Sequence, residues 1–135
     1  MKRARRYGHL DKSHKSIVKE LINEHFWVGE TSASAGFVDL VVSDKSDGTT
    51  ALAEVKETGG NIYLSQLYTI ATFPGNVCFF TSPQQAVETM RNKRFLTPIQ
   101  KEKILQFYYR FMLKTKSKAK NPLVAVSTFE KEVKL

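Results

Sequence analysis

Apolar positions along the chain follow two periods. Ile17, Val18, Leu21 and Ile22 recur at helical spacing and predict a first helix from Asp11 or Lys12 to about His25, with Asp11 as N-cap. At about 100° per residue, His14 falls in the middle of that stripe, and Glu20 and Glu24 lie about 100–140° away from it. The runs 37–43 and 50–56 read as strands, and Asp47-Gly48 between them predicts a hairpin. Thr58-Gly-Gly-Asn61 breaks the chain, with Asn61 placed to cap a helix from Ile62 to about Phe73. Pro74-Gly75 ends that helix, and 76–81 reads as a buried strand. Ser82-Pro83-Gln84-Gln85 and Thr97-Pro98-Ile99-Gln100 share one grammar: an N-cap, a first-turn proline and a Gln in the capping-box position. The second of these opens a longer helix to about Lys114, and Leu123–Phe129 predicts a last strand. The order α, β, β, α, β, α, α, β implies an α/β fold with a central mixed sheet flanked by helices.

A length of 135 residues suits one domain, 1–135, with a basic N-terminal arm (1–10) and a C-terminal helix-strand extension (97–135). Hydrophobic residues at 41% and charged residues at 25% exclude wholesale disorder. No uncharged apolar run approaches the ~20 residues of a membrane span. The basic start leads into Tyr7-Gly8-His9 rather than an apolar segment, against a secretory signal. Cys78 is alone, which removes an internal disulfide and a Cys-based zinc site and favours an intracellular, cytoplasmic protein.

The net charge of +8 is unevenly distributed. Residues 1–20 carry +5, residues 21–90 carry −6, residues 91–120 carry +9, and the last fifteen balance. Basic flanks of this size suit a polyanion such as nucleic acid, though surface lysines also serve solubility.

The acidic centre holds the candidate chemistry. Glu54 and Lys56 point to the same side of a strand, about 6.6 Å apart. If Ser43 pairs with Thr50, Asp39 lies opposite Glu54. Two carboxylates facing each other repel, and within apolar strands they are costly to desolvate. A divalent cation removes both objections, and Mg²⁺ prefers oxygen ligands and tolerates few from the protein. An exposed edge hairpin also carries charges, but Asp39 stands within Phe-Val-Asp-Leu-Val-Val. Lys56 beside the ion would bind a phosphate or orient the attacking water.

Asp39, a fourteen-residue gap and Glu54-Val55-Lys56 resemble the D…E-x-K signature of the PD-(D/E)XK nucleases. The stretch from Gly36-Phe-Val-Asp39 through Glu54 to Gln66 is similar to their VRR-NUC branch. The first helix and hairpin look similar to archaeal Holliday-junction resolvases. This resemblance covers roughly residues 12–82, and Val38 stands where the namesake proline would be. It implies a restriction-endonuclease-like αβββαβ core in which Asp39, Glu54 and the Val55 carbonyl hold Mg²⁺ or Mn²⁺. Many members complete the metal shell with a Glu of the first helix, but Glu20 and Glu24 fall off the stripe. RecB-like nucleases use a His there, which His14 resembles. Imidazole suits Mn²⁺ better than Mg²⁺. A hydrogen-bonded or exposed His14 is the alternative, with Glu20 in reserve as ligand. Gln66 matches a Gln that arranges Lys and phosphate in the family, against a plain surface Gln.

Arg3, Arg5 and Arg6 would form a phosphate-binding arm, Lys114, Lys116, Lys118 and Lys120 a second cluster, and Arg91, Lys93 and Arg94 a third. Phe107-Tyr108-Tyr109 with Phe111 reads as core or dimer packing more than as base stacking. The expectation is a metal-dependent DNA endonuclease using Asp39, Glu54, Lys56 and Gln66. By analogy it acts as a homodimer whose two sites match the strands of a branched or Holliday junction. The alternatives are a RecB-like exonuclease or flap nuclease, and a non-catalytic nucleic-acid-binding protein. Stand-alone domains of this branch occur in viruses as well as cells, so a viral protein in a host cell fits too.

Overall fold

The computed structural model describes residues 14–31, 36–115 and 121–135. Helix α1 (residues 14–23) turns at His25, whose φ is 73°, into strand β1 (Phe26–Glu30). There follow β2 (Leu40–Asp44), β3 (Thr50–Val55), β4 (Asn61–Tyr63), α2 (Leu64–Thr72) and β5 (Asn76–Phe80). The rest of the described chain is α3 (Pro83–Arg91), α4 (Pro98–Thr115), β6 (Leu123–Ala125) and α5 (Val126–Val133).

Strands β1, β2 and β3 form an antiparallel meander, and β5 adds in parallel beside β3, giving a mixed sheet of order β1-β2-β3-β5. The parallel step needs a crossover, which α2 supplies. Both faces of this sheet are covered, so its central strands carry apolar residues at successive positions. On one face Leu40, Val42, Ala51, Ala53 and Phe80 pack with Ile17 and Leu21 of α1 and Ala86 and Met90 of α3. On the other, Leu52 and Phe79 pack with α2, α4 and α5 through Leu67, Phe107 and Phe129. The α/β fold with a central mixed sheet flanked by helices is therefore present.

The hairpin forms as its sequence dictates. Gly48 takes φ 78° in the turn, and its N–H donates to Asp44 O at 2.7 Å. Both proline-opened helices carry their caps. Ser82 Oγ accepts from Gln85 N, while Thr97 and Gln100 exchange side-chain-to-backbone bonds reciprocally.

Four expectations change. Phe26–Glu30 is a strand that periodicity did not mark, because only Phe26 of its five residues is fully buried. It supplies the third strand of the helix, three-strand, helix, strand order. The second helix begins at Leu64, not Ile62, because Asn61–Tyr63 pairs with Leu123–Ala125. The last predicted strand survives only over those three residues. From Val126 the chain is helical, since Val126, Phe129 and Val133 also match helical spacing and are buried together. Finally, Ile22 is 53% exposed and leaves the stripe of α1. The proposed Asp11 cap lies outside the described residues.

Candidate active site

Ser43 pairs with Thr50 and Leu40 with Ala53, so the register carries Asp39 to a position opposite Glu54. Asp39 stands one residue before β2, its carbonyl accepting from Thr31 N at 2.9 Å. Its Oδ2 accepts from Val55 N at 2.8 Å, which ties the Asp to the strand bearing Glu54. The two carboxyl groups interact electrostatically across the strands. Val41 and Leu52 face the layer of α2, α4 and α5, and a period of two puts Asp39, Glu54 and Lys56 on that same side.

Glu54 is only 3% exposed. Desolvation, and then the charge of Asp39, hold its carboxyl well above the usual range. Burial raises Asp39 as well, while the Val55 N–H and the nearby His14 act to lower it. Gln66 on the first turn of α2 explains how Glu54 is held. Its Nε2 donates to Glu54 Oε1 at 3.2 Å and to Phe37 O at 3.0 Å, and its Oε1 accepts from Tyr63 N at 3.0 Å. Gln66 is thus a buried bracket for the acid. The structure records no bond from it to Lys56, the partner that the resemblance implied.

Lys56 is 13% exposed, and its Nζ is held at 2.8 Å by Glu130 Oε2 of α5. The same ammonium lies 4.8 Å from the centroid of the Phe79 ring, which packs in turn on Phe129 at 5.8 Å. Glu130 and Phe79 are site residues that sequence reading missed. Glu130 fell just past a predicted strand and carried no pattern of its own. Phe79 sat in a run read only as buried.

His14 reaches the same end of the sheet from α1. Its buried Nε2 has no hydrogen bond and lies 3.4 Å from Glu30 Oε1 at the end of β1. Glu24, past the other end of α1, is paired with Arg91 and is far from the acids. Glu20 makes no recorded contact with them. Asp39 and Glu54 offer two hard oxygen donors that burial makes costly to charge, which fits a divalent ion. Among the described residues no group of three His, Cys, Asp or Glu side chains forms a metal cluster. A metal here would draw its remaining ligands from backbone and solvent, as Mg²⁺ commonly does.

The predicted phosphate-binding residues divide. Lys114 is exposed in the last turn of α4. Arg3, Arg5, Arg6, Lys116, Lys118 and Lys120 lie outside the described residues. Phe107 is core, packed edge-on against Phe129, while Tyr108 meets Tyr68 at a tilt and Tyr109 edge-on. Cys78 is buried, its thiol pushed up to about 12, and is therefore inert as a nucleophile. Among the described residues no helix is long and apolar enough to cross a membrane. Comparison with protein-family models, with curated proteins and with solved structures gives no match for this chain.

Proposed function

We propose that the chain is a metal-dependent nuclease that hydrolyses phosphodiester bonds in DNA. The single observation behind this reading is the opposed pair at one end of the sheet, half-buried Asp39 and buried Glu54. A pair of desolvated acids is costly to the fold, and such groups gather where chemistry needs them. Asp39, Glu54 and the Val55 carbonyl would hold Mg²⁺ or Mn²⁺. Such an ion polarises a phosphoryl oxygen and acidifies bound water. Lys56 provides the permanent cation: its ammonium neutralises charge on the phosphate, held in place by Phe79 and Glu130. Gln66 keeps the Glu54 carboxylate oriented, and Asp39 is steered by the Val55 N–H.

The reading extends to branched DNA as substrate, cut inside a cell by a two-fold dimer. It draws there on the basic flanks and on resemblance to the junction resolvases. The ion pair of Lys56 with Glu130 favours a second reading, nucleic-acid binding without cleavage, in which the ammonium is spent on holding α5. Incubation with labelled junction, flap, single-stranded and linear duplex DNA, with and without Mn²⁺, separates the two. Cleavage that requires the ion and disappears in Asp39→Asn supports the nuclease; binding of every substrate with no cleavage defeats it.

A further inference from the structure

Arg91, Lys93 and Arg94 follow one another at the end of α3, and the fold gives them different fates. Arg91 is paired with Glu24, and Lys93 Nζ is 2.8 Å from Asp47 Oδ2. Arg94 makes no ion pair with an acid among the described residues, although its backbone is fixed by a 3.0 Å bond from its N–H to Thr89 O. Together with Lys56 it lines a cavity of about 250 Å³ beside the outer edge of β5. One recruited cation of the cluster therefore shares a wall with the ammonium at the candidate active site.

The chemistry of that cavity suits an anion. Besides Arg94 and Lys56, the latter already held by Glu130, it is lined by one acid, Glu88, and by Gln85, Thr89 and Leu135. The Gln85 amide is already engaged, donating to Phe79 O and accepting from Thr81 N, so Arg94 is the uncommitted donor. Phe79 and Leu96 give an apolar wall that suits a sugar or the face of a base. The volume falls below the ~300 Å³ at which drug-sized pockets begin, which leaves room for one sugar-phosphate unit. A guanidinium is well matched to a phosphate, which it meets with two parallel N–H donors.

We propose that this cavity is a one-nucleotide subsite for the strand being cut, in which Arg94 binds the phosphate next to the scissile one. The proposal rests on the nuclease reading of Lys56 for its position, and on Arg94 alone for the contact. It also gives a reason for the pairing of its neighbours: Glu24 and Asp47 neutralise Arg91 and Lys93, so among the described residues of this cluster Arg94 is the cation left without an acid.

The test measures binding of a fluorescein-labelled four-way junction by anisotropy over a salt series in EDTA, for wild type, Arg94→Ala, Arg94→Lys and Arg91→Ala. Arg94→Ala is expected to weaken binding several-fold and to lower the slope of log K against log salt by about 1, one phosphate's worth. Arg94→Lys should keep the slope, and Arg91→Ala, whose cation is already matched by Glu24, should change it less than Arg94→Ala does. Replacing single phosphates by neutral methylphosphonates should then find one position that weakens wild type but not Arg94→Ala. Cleavage mapping in Mn²⁺ should place that position beside the cut. An unchanged slope in Arg94→Ala with DNA still cut sinks the subsite and leaves the nuclease standing. A lowered slope with no cleavage of any DNA sinks the nuclease and leaves the phosphate contact. No binding by wild type sinks both.

Discussion

Glu130 Oε2 lies 2.8 Å from Lys56 Nζ, so α5 holds a cation placed on the same side of the strand as Glu54. Glu130 is half exposed, and an ion pair open to water at one end is worth no more than about 1 kcal/mol. Its carboxylate occupies a position that a phosphate oxygen would claim. Glu130→Gln is therefore expected to leave the melting temperature within a few degrees of wild type and to tighten DNA binding several-fold. KM for cleavage should fall. Anisotropy titration and initial-rate kinetics read the two effects; unchanged affinity would remove Glu130 from competition with substrate.

The acidic pair predicts an inverted pH response. The folded-state pKa of Glu54 lies above its ordinary 4.5, so the folded chain keeps a proton that the unfolded chain has released. The stability this contributes is complete below the ordinary value and is lost as pH rises through the raised one. Asp39 shifts in the same direction and adds to the effect. Metal-free protein should melt at a falling temperature as pH rises above the ordinary carboxylate range, and Glu54→Gln should flatten that slope. Mn²⁺ at 100 times its dissociation constant should restore about 2.7 kcal/mol at the upper end. Differential scanning calorimetry in EDTA and in Mn²⁺ measures all three.

Gln66 makes three bonds from a buried amide, to Glu54, Phe37 and Tyr63. Gln66→Ala strands the groups it served, a loss of about 1–3 kcal/mol by denaturant unfolding. Gln66→Glu should cost more, because the new carboxylate replaces a donor to Glu54 and to the Phe37 carbonyl. If Gln66 positions the acid, Gln66→Ala lowers kcat while KM for DNA holds. Equal loss of stability in both variants would show that the amide donor is not what matters.

Much of this arrangement was legible in the residues, for identifiable reasons. Asp47-Gly48 fixed the turn, the turn fixed the register, and the register set Asp39 against Glu54. Capping grammar marked the starts of α3 and α4 because it is chemistry local to four residues. What escaped depends on partners distant in sequence. Asn61–Tyr63 is a strand only because Leu123–Ala125 arrives beside it. Val126–Val133 fits either period, and burial of Phe129 against Phe79 and Phe107 decides for helix. The hold of Glu130 on Lys56 follows from that same choice, so the missed helix and the missed site residue are one error.

Phe129 joins the core to the site through Phe79, whose ring lies under the Lys56 ammonium. Phe129→Ala removes a fully buried ring and should cost about 3–5 kcal/mol in urea unfolding. Phe129→Leu keeps most of the volume and should cost less. Cleavage by the Leu variant should fall further than its stability does, because Phe79 loses the ring that packs against it. Parallel recovery of both would confine Phe129 to the core.

One layer over the sheet is built by α2, α4 and α5, of which α4 and α5 follow every strand of that sheet in the chain. During synthesis, a nascent polypeptide that has just delivered Phe80 has all four strands of the mixed sheet but bare apolar surface where Ile104, Phe107 and Phe129 will lie. Glu54 stays wetter, and Lys56 unclaimed, until the ribosome releases the remaining residues. Truncated products should thus be sticky and incompetent, and competence should switch on abruptly with completion of α5.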